Sequence, residues 1–251
     1  MKPICFVIAH RYYRQYPSYI EYYVENIQKF YEGSLTIIVD NNSKYLCDIA
    51  EKFVDNVGVV ILTNDTECKF ELGAYKCGIQ YLFIEGLYDN YSFVVFSQDT
   101  FVLKNKFEFE SLNGDLAGPL VGSSVGQNYD YGLNHHPMFH HFWNKLEMDK
   151  YPCVRSFCWC CSFFIHSSKM GEFFNLTRDI VITVRNDSCA TERYFWMILY
   201  RLNNNRLANI DGLLEDIESK YHCGNVDVVN SVVNSYFVKR SQNKTETTLE
   251  M

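Results

Sequence analysis

Three apolar runs in the first hundred residues each break into side chains suited to ligand contact. Ile4–Ala9 runs into His10-Arg11, Leu35–Val39 into Asp40-Asn41, and Ser92–Phe96 into Ser97-Gln98-Asp99. If the runs are parallel strands of one open sheet, these residues line up along its carboxyl edge, where such sheets bind ligands. Later in the chain, Asp187 and Glu192 offer two carboxylates near a helix start, and His222 stands in Lys220-Tyr221-His222-Cys223-Gly224. Two richer clusters invite a metal reading. His135-His136-Pro137-Met138-Phe139-His140-His141 lies in a loop-rich stretch beside Phe142 and Trp143, whereas zinc ligands need rigid supports. Cys153, Cys158, Cys160 and Cys161 accompany His166. On a strand, Cys158 and Cys160 point one way and Cys161 the other, so these thiols read as core packing.

The elements that must position these residues alternate. Ile4–Ala9, Leu35–Val39, Val59–Leu62 and Ser92–Phe96 read as buried strands. Between them, Tyr19–Tyr31, Lys44–Phe53 and Glu71–Glu85 carry apolar residues at helical spacing. Strand and helix in strict alternation imply parallel βαβ units with helices on both faces. The second half is less regular. It offers strands at Leu116–Val121 and Phe157–Ile165 and helices at Ser167–Leu176 and Ala190–Leu202, the latter capped by Ser188 or Thr191. The expected fold is α/β, a Rossmann-type, mostly parallel sheet flanked by helices in a single domain over residues 1–240. About 1–122 form the regular half and about 123–240 the variable half, and 241–251 read as a flexible tail.

At 251 residues with 47% hydrophobic and 21% charged side chains, the composition is that of a globular chain and excludes wholesale disorder. Aromatic residues reach 16%, which gives a heavy core and rings to spare for stacking. The net charge is -7 with no basic block, which argues against nucleic acid as a partner. No apolar run reaches the length of a transmembrane segment. The first apolar run is too short for a secretory signal, so the 10 cysteines are expected as reduced thiols in a cytoplasmic protein.

Phe93–Leu103, Phe-Val-Val-Phe-Ser-Gln-Asp-Thr-Phe-Val-Leu, resembles the strand-end acidic motif of GT-A-fold glycosyltransferases. The likeness is to glycosyltransferase family 2 and its rhamnosyltransferase-like members. Leu35–Ser43 is similar to that family's second strand and its Val-Asp-Asn-Gly-Ser turn. Glu71–Gly78 is similar to its glycine-punctuated helix, and Ala117-Gly118-Pro119-Leu120 to the following strand. The resemblance covers residues 4–122 and thins towards 202.

It implies a nucleoside-diphosphate sugar, UDP- or dTDP-linked, a carbohydrate acceptor, and a divalent cation, Mn²⁺ or Mg²⁺. The donor-binding residues it implies are Ala9, His10, Arg11, Asp40, Gly73, Lys76, Ser97, Gln98 and Asp99. Among these, Asp40 matches the position contacting base or ribose, and Asp99 the last acid of the Asp-x-Asp motif. Asp99 and His222 are the implied metal ligands. Ser97 stands where the family has its first acid, which leaves the cation short of anionic oxygen. Arg11 suits the diphosphate.

Transfer also needs a group to take the acceptor's proton, and Glu192 matches the family's catalytic Glu-Asp pair, with Asp187 as the other candidate. Each residue also has a structural reading: Asp99 as a turn acid, Asp187 as a loop acid or cap, Glu192 as a first-turn dipole partner, Arg11 as a solvated charge, Lys76 as an exposed lysine. The His135–His141 loop reads either as an acceptor-side stacking loop or as plain surface. The expected activity is an inverting, metal-assisted glycosyl transfer, with a deoxyhexose such as rhamnose as one donor. The alternatives are an inactive sugar-binding module and a nucleotidyltransferase. Against the last, Ala9-His10-Arg11-Tyr12-Tyr13 holds none of the glycine of a phosphate loop.

Overall fold

The first strand sets the pattern for the whole sheet. In a computed structural model of the chain, β1 (Ile4–His10) is buried at all seven positions, its residues alternating between two separate cores. The structure describes residues 2–11, 19–41, 43, 46–112, 114–120, 146, 158, 161–206, 208, 214–216 and 237–239. Around β1 lie β2 (Leu35–Asp40), β3 (Val59–Thr63) and β4 (Phe93–Gln98), all parallel. Beyond β4, β7 (Phe163–His166) and the edge strand β6 (Ala117–Pro119) complete a six-stranded sheet ordered β3-β2-β1-β4-β7-β6. β7 runs antiparallel to both of its neighbours, so the sheet is mixed. A second sheet pairs β5 (Phe101–Leu103) with β9 (Phe237–Lys239) and β9 with β8 (Leu214–Asp216), three short strands that the sequence pattern does not announce.

Because successive strand residues face opposite sides, each strand feeds both cores. On one side, Ile4, Phe6, Ile8, Phe93 and Val95 pack with α1 (Ile20–Phe30) and α2 (Leu46–Phe53). On the other, Cys5, Val7, Val94, Phe96 and Phe163 pack with α3 (Phe70–Ile84), α4 (Met170–Thr177) and α5 (Arg185–Leu202). Contact of α3 with the sheet is close enough to require glycine. A Cβ on Gly78 would stand 2.6 Å from a methyl of Val7.

Two boundaries differ from the sequence expectation. α5 begins at Arg185, not Ala190, and its N-cap Val184 has no side-chain cap. Ser188 and Thr191 are therefore inside the helix and not its caps. Thr191 Oγ1 donates to the Ser188 carbonyl at 2.5 Å, and Ser188 is tied to α3. Of the expected strand 157–165, Phe163–Ile165 lie in β7. Ahead of it Cys161 N–H donates to the Cys158 carbonyl at 2.9 Å and Cys161 takes φ 50°. Strand alternation therefore does not separate them, but both are buried free thiols. Cys153, Cys160, the His135–His141 cluster, His222 and the 241–251 tail lie outside the described residues. Among the described residues no helix is long and apolar enough to cross a membrane.

Candidate active site

β1 leads to β2 on one side and is flanked by β4 on the other, so the strand order reverses between β1 and β4. A crevice opens at the carboxyl ends of the strands flanking such a reversal. One close side-chain contact joins the two strand ends. His10, the last residue of β1 and 1% exposed, has Nδ1 2.8 Å from Oδ2 of Asp99. The same oxygen accepts the Arg11 backbone N–H at 3.1 Å, and Asp99 N–H donates to the Ala9 carbonyl at 3.0 Å. β1 thus fixes Asp99 through three contacts. Its other carboxylate oxygen, Oδ1, has no partner among the described residues. Arg11 itself is exposed beside this pair.

Ser97 is elsewhere. It is fully buried on the α1 side, where its Oγ shares a 2.9 Å hydrogen bond with the Tyr23 hydroxyl. Burial pushes the Tyr23 phenol well up, so it stays protonated and keeps this bond. Ser97, expected at the donor or a cation, is turned away from the Gln98 side by strand parity: Phe93, Val95 and Ser97 share the α1 face, and Gln98 falls on the other.

Gln98 opens a network. Its Nε2 donates to Glu71 Oε1 at 2.5 Å, and its Oε1 accepts from Thr100 Oγ1 at 3.2 Å. Glu71 Oε2 accepts from Ser188 Oγ at 3.0 Å. Glu71 is in the first turn of α3 and Ser188 in the first turns of α5, so β4 and both helices meet at one carboxylate. The sequence reading quotes Glu71 only within a motif and assigns it no role. Its place at a helix start facing a strand end was the available signal.

Glu192 lies two turns into α5, so the dipole of the helix start does not account for it. It sits four residues after Ser188 and shares that residue's face, whereas Asp187, in the first turn, is rotated from Glu192 by about 140°. Cys161 marks the same neighbourhood. Burial drives its thiol pKa far up, and the carboxylates of Glu71 and Glu192 push in the same direction.

Three other expected donor contacts are occupied by structural work. Asp40, 1% exposed, accepts the Ser43 backbone N–H at 2.8 Å through Oδ2 and the Ser43 hydroxyl through Oδ1, closing its own turn. Gly73 lets α3 approach the preceding loop. A Cβ there would overlap the Cys68 carbonyl oxygen and stand 2.5 Å from Asn64 Nδ2. Lys76 is buried rather than exposed, and its ammonium donates to the carbonyls of Arg178 at 2.7 Å and Ile180 at 2.6 Å. Asn64, which the sequence reading leaves without a role, donates from its Nδ2 to Asn41 Oδ1 at 2.8 Å and so joins the ends of β2 and β3. Among the described residues no three His, Cys, Asp or Glu side chains are grouped to hold a metal ion. Asp99 Oδ1 is one anionic oxygen at the strand ends, and a divalent cation there would need most of its ligands from elsewhere.

No family model matches the chain, and no curated protein matches it. Solved structures give three similarities. The first is to residues 1–349 of S. aureus TarS, at 12% identity over 83% of this chain and a TM-score of 0.41; the chain spans 57% of that structure. The second is to the galactosyltransferase LgtC in complex with donor and acceptor sugar analogues, at 9% identity over 96% of this chain and 87% of that one, with a TM-score of 0.46. The third is to the mannosyltransferase Ktr4p of S. cerevisiae, at 8% identity over 77% and 62%, with a TM-score of 0.38. At TM-scores below 0.5 these likenesses carry no argument about activity, donor or acceptor.

Proposed function

We propose that the chain is a GT-A-type glycosyltransferase moving a sugar from a nucleoside-diphosphate sugar to a carbohydrate hydroxyl in the β1–β4 crevice. The supporting observation is the carboxylate of Asp99, held across the strand-order reversal by His10 and by the Arg11 N–H. It stands at the strand end whose sequence resembles the family's acidic motif.

The chain's own groups divide the work. The exposed guanidinium of Arg11 attracts the diphosphate at the mouth of the crevice. Asp99 Oδ1, with the diphosphate oxygens, would hold Mn²⁺ or Mg²⁺, which supplies charge neutralisation for the leaving group when bound. Glu192 takes the proton of the acceptor hydroxyl as its oxygen bonds to the anomeric carbon. The bond from that carbon to the diphosphate oxygen breaks, and its electron pair leaves with the nucleoside diphosphate. A single displacement of this kind inverts the anomeric centre. We place the base at Glu192 and not Asp187 because Glu192 shares its helix face with Ser188, which is tied to the crevice network. The donor reading is UDP- or dTDP-linked, with a deoxyhexose such as rhamnose as one candidate. Cys5, Cys68, Cys77, Cys158 and Cys161 are free thiols, which suits a reducing, cytoplasmic setting.

One observation favours a second reading. With Ser97 buried against Tyr23, the acidic motif contributes one carboxylate to the crevice, as an inactive nucleotide-sugar-binding module would. Thermal shift with UDP and dTDP, with and without Mn²⁺, tests binding, since a specific ligand raises stability by mass action. Donor hydrolysis then separates enzyme from module. Glu192→Gln is expected to keep UDP affinity and to lower turnover by about 10²–10⁴-fold. Full turnover in this variant with collapse in Asp187→Asn would move the base to Asp187. Absence of any nucleotide-dependent shift would overturn the transferase reading.

A further inference from the structure

Glu71 belongs to none of the roles above, yet its two carboxylate oxygens are bonded to two different elements. Oε1 receives Gln98 at the end of β4, one residue before Asp99. Oε2 receives Ser188, one helical turn before Glu192. Glu71 is in the first turn of α3, whose first residue, Phe70, takes φ 57°, a conformation non-glycine residues rarely adopt. The Phe70 carbonyl accepts from Asn41 Nδ2 at 3.0 Å, which ties that strained turn to the end of β2. Bonds that converge on a carboxylate are stronger and more directional than neutral ones. A site that places a donor and a base on separate elements depends on such a tie, because small misplacement of reacting groups lowers rate steeply.

We propose that Glu71 is a positioning residue: it sets the distance between the β4 end that carries Asp99 and the α5 face that carries Glu192. It acts through geometry and not through its charge. Glutamine can keep both contacts, its carbonyl accepting from Gln98 and its amide donating to the Ser188 hydroxyl, which can accept as well as donate. Alanine keeps neither contact, and aspartate is one methylene too short to reach both.

The proposal rests on the transferase reading for its rate consequences, but not for its structural ones, and two measurements keep these apart. Amide hydrogen exchange needs no ligand. Glu71→Ala is expected to raise exchange in residues 98–100 and 185–192 together, and Glu71→Gln to leave both at native levels. UDP-glucose and dTDP-rhamnose hydrolysis is the rate probe. Glu71→Ala and Glu71→Asp are expected to lower turnover by up to about 10²-fold with little change in KM, and Glu71→Gln to stay close to the native rate. Native exchange in both segments of Glu71→Ala would overturn the proposal. Loss of turnover in Glu71→Gln at native exchange would also overturn it, since Glu71 would then act through its charge. If neither donor is hydrolysed by the native chain, the transferase reading is what fails, and the exchange pattern alone decides the role of Glu71.

Discussion

Asp40 closes β2 and Asp99 directly follows β4, with β1 between the two strands, and the two carboxylates do opposite things. Asp40 at the end of β2 folds back on Ser43, three residues on, and both its oxygens are used inside its own turn. Asp99 at the end of β4 makes no such local closure. It is gripped from β1 by His10 and Arg11, which lie 89 and 88 positions earlier in the chain, and the grip falls on one oxygen only. A carboxylate satisfied by its own turn is a building block. A carboxylate held by a neighbouring strand with one oxygen left over is, under the proposed function, the one available to a ligand.

Substitutions at the two ends should therefore separate activity from stability. Asp99→Asn is expected to give the largest effect, lowering UDP-sugar turnover by about 10²-fold or more, the several kcal/mol that charge stabilisation at a diphosphate supplies. Its melting temperature should stay near native, because the amide oxygen can keep the contacts from β1. Native turnover in this variant would remove Asp99 from the site.

Asp40→Ala is expected to act in the other direction, destabilising the fold by about 1.5–3 kcal/mol through loss of charge-assisted bonds, as read by urea denaturation. Asp40→Asn, which can still accept from the Ser43 N–H, should recover much of that loss. Lost nucleotide affinity in Asp40→Asn at native stability would show instead that Asp40 contacts the donor. The smallest effect is expected at Ser97. Ser97→Ala leaves the buried Tyr23 hydroxyl without its partner and should cost about 1–3 kcal/mol, while the double variant with Tyr23→Phe should come back towards native. Turnover normalised to folded protein should not change in either. A specific loss of turnover in Ser97→Ala would return Ser97 to the crevice.

Much of the frame was legible because the physics that fixes it is local. Ile4–Ala9 and its counterparts are unbroken apolar runs between polar ends, and helices at 3.6-residue spacing separate them. That pattern has few solutions other than a sheet covered on both faces. The positions of His10, Asp40, Gln98 and Asp99 at strand ends follow from the same pattern. Even the withdrawal of Ser97 was written in the sequence, since period-two alternation places it with Val95 and opposite Gln98. The start of α5 was less legible, because Ser188 and Thr191 are good cap residues by type and an N-cap at Val184 with no capping side chain gives no signal.

What the amino-acid order alone determined, then, is which residues stand at the ends of the strands and which face each one takes. Tertiary structure decided which of them are spent. That Lys76 would reach the Arg178 and Ile180 carbonyls, that His10 would close on Asp99, and that Glu71 would join Gln98 to Ser188 are contacts between residues about 27 to 117 positions apart. No local propensity encodes such pairs. They form only when the sheet and its helices have brought the partners together, since a buried or half-buried polar group must find its hydrogen bond in whatever packs against it.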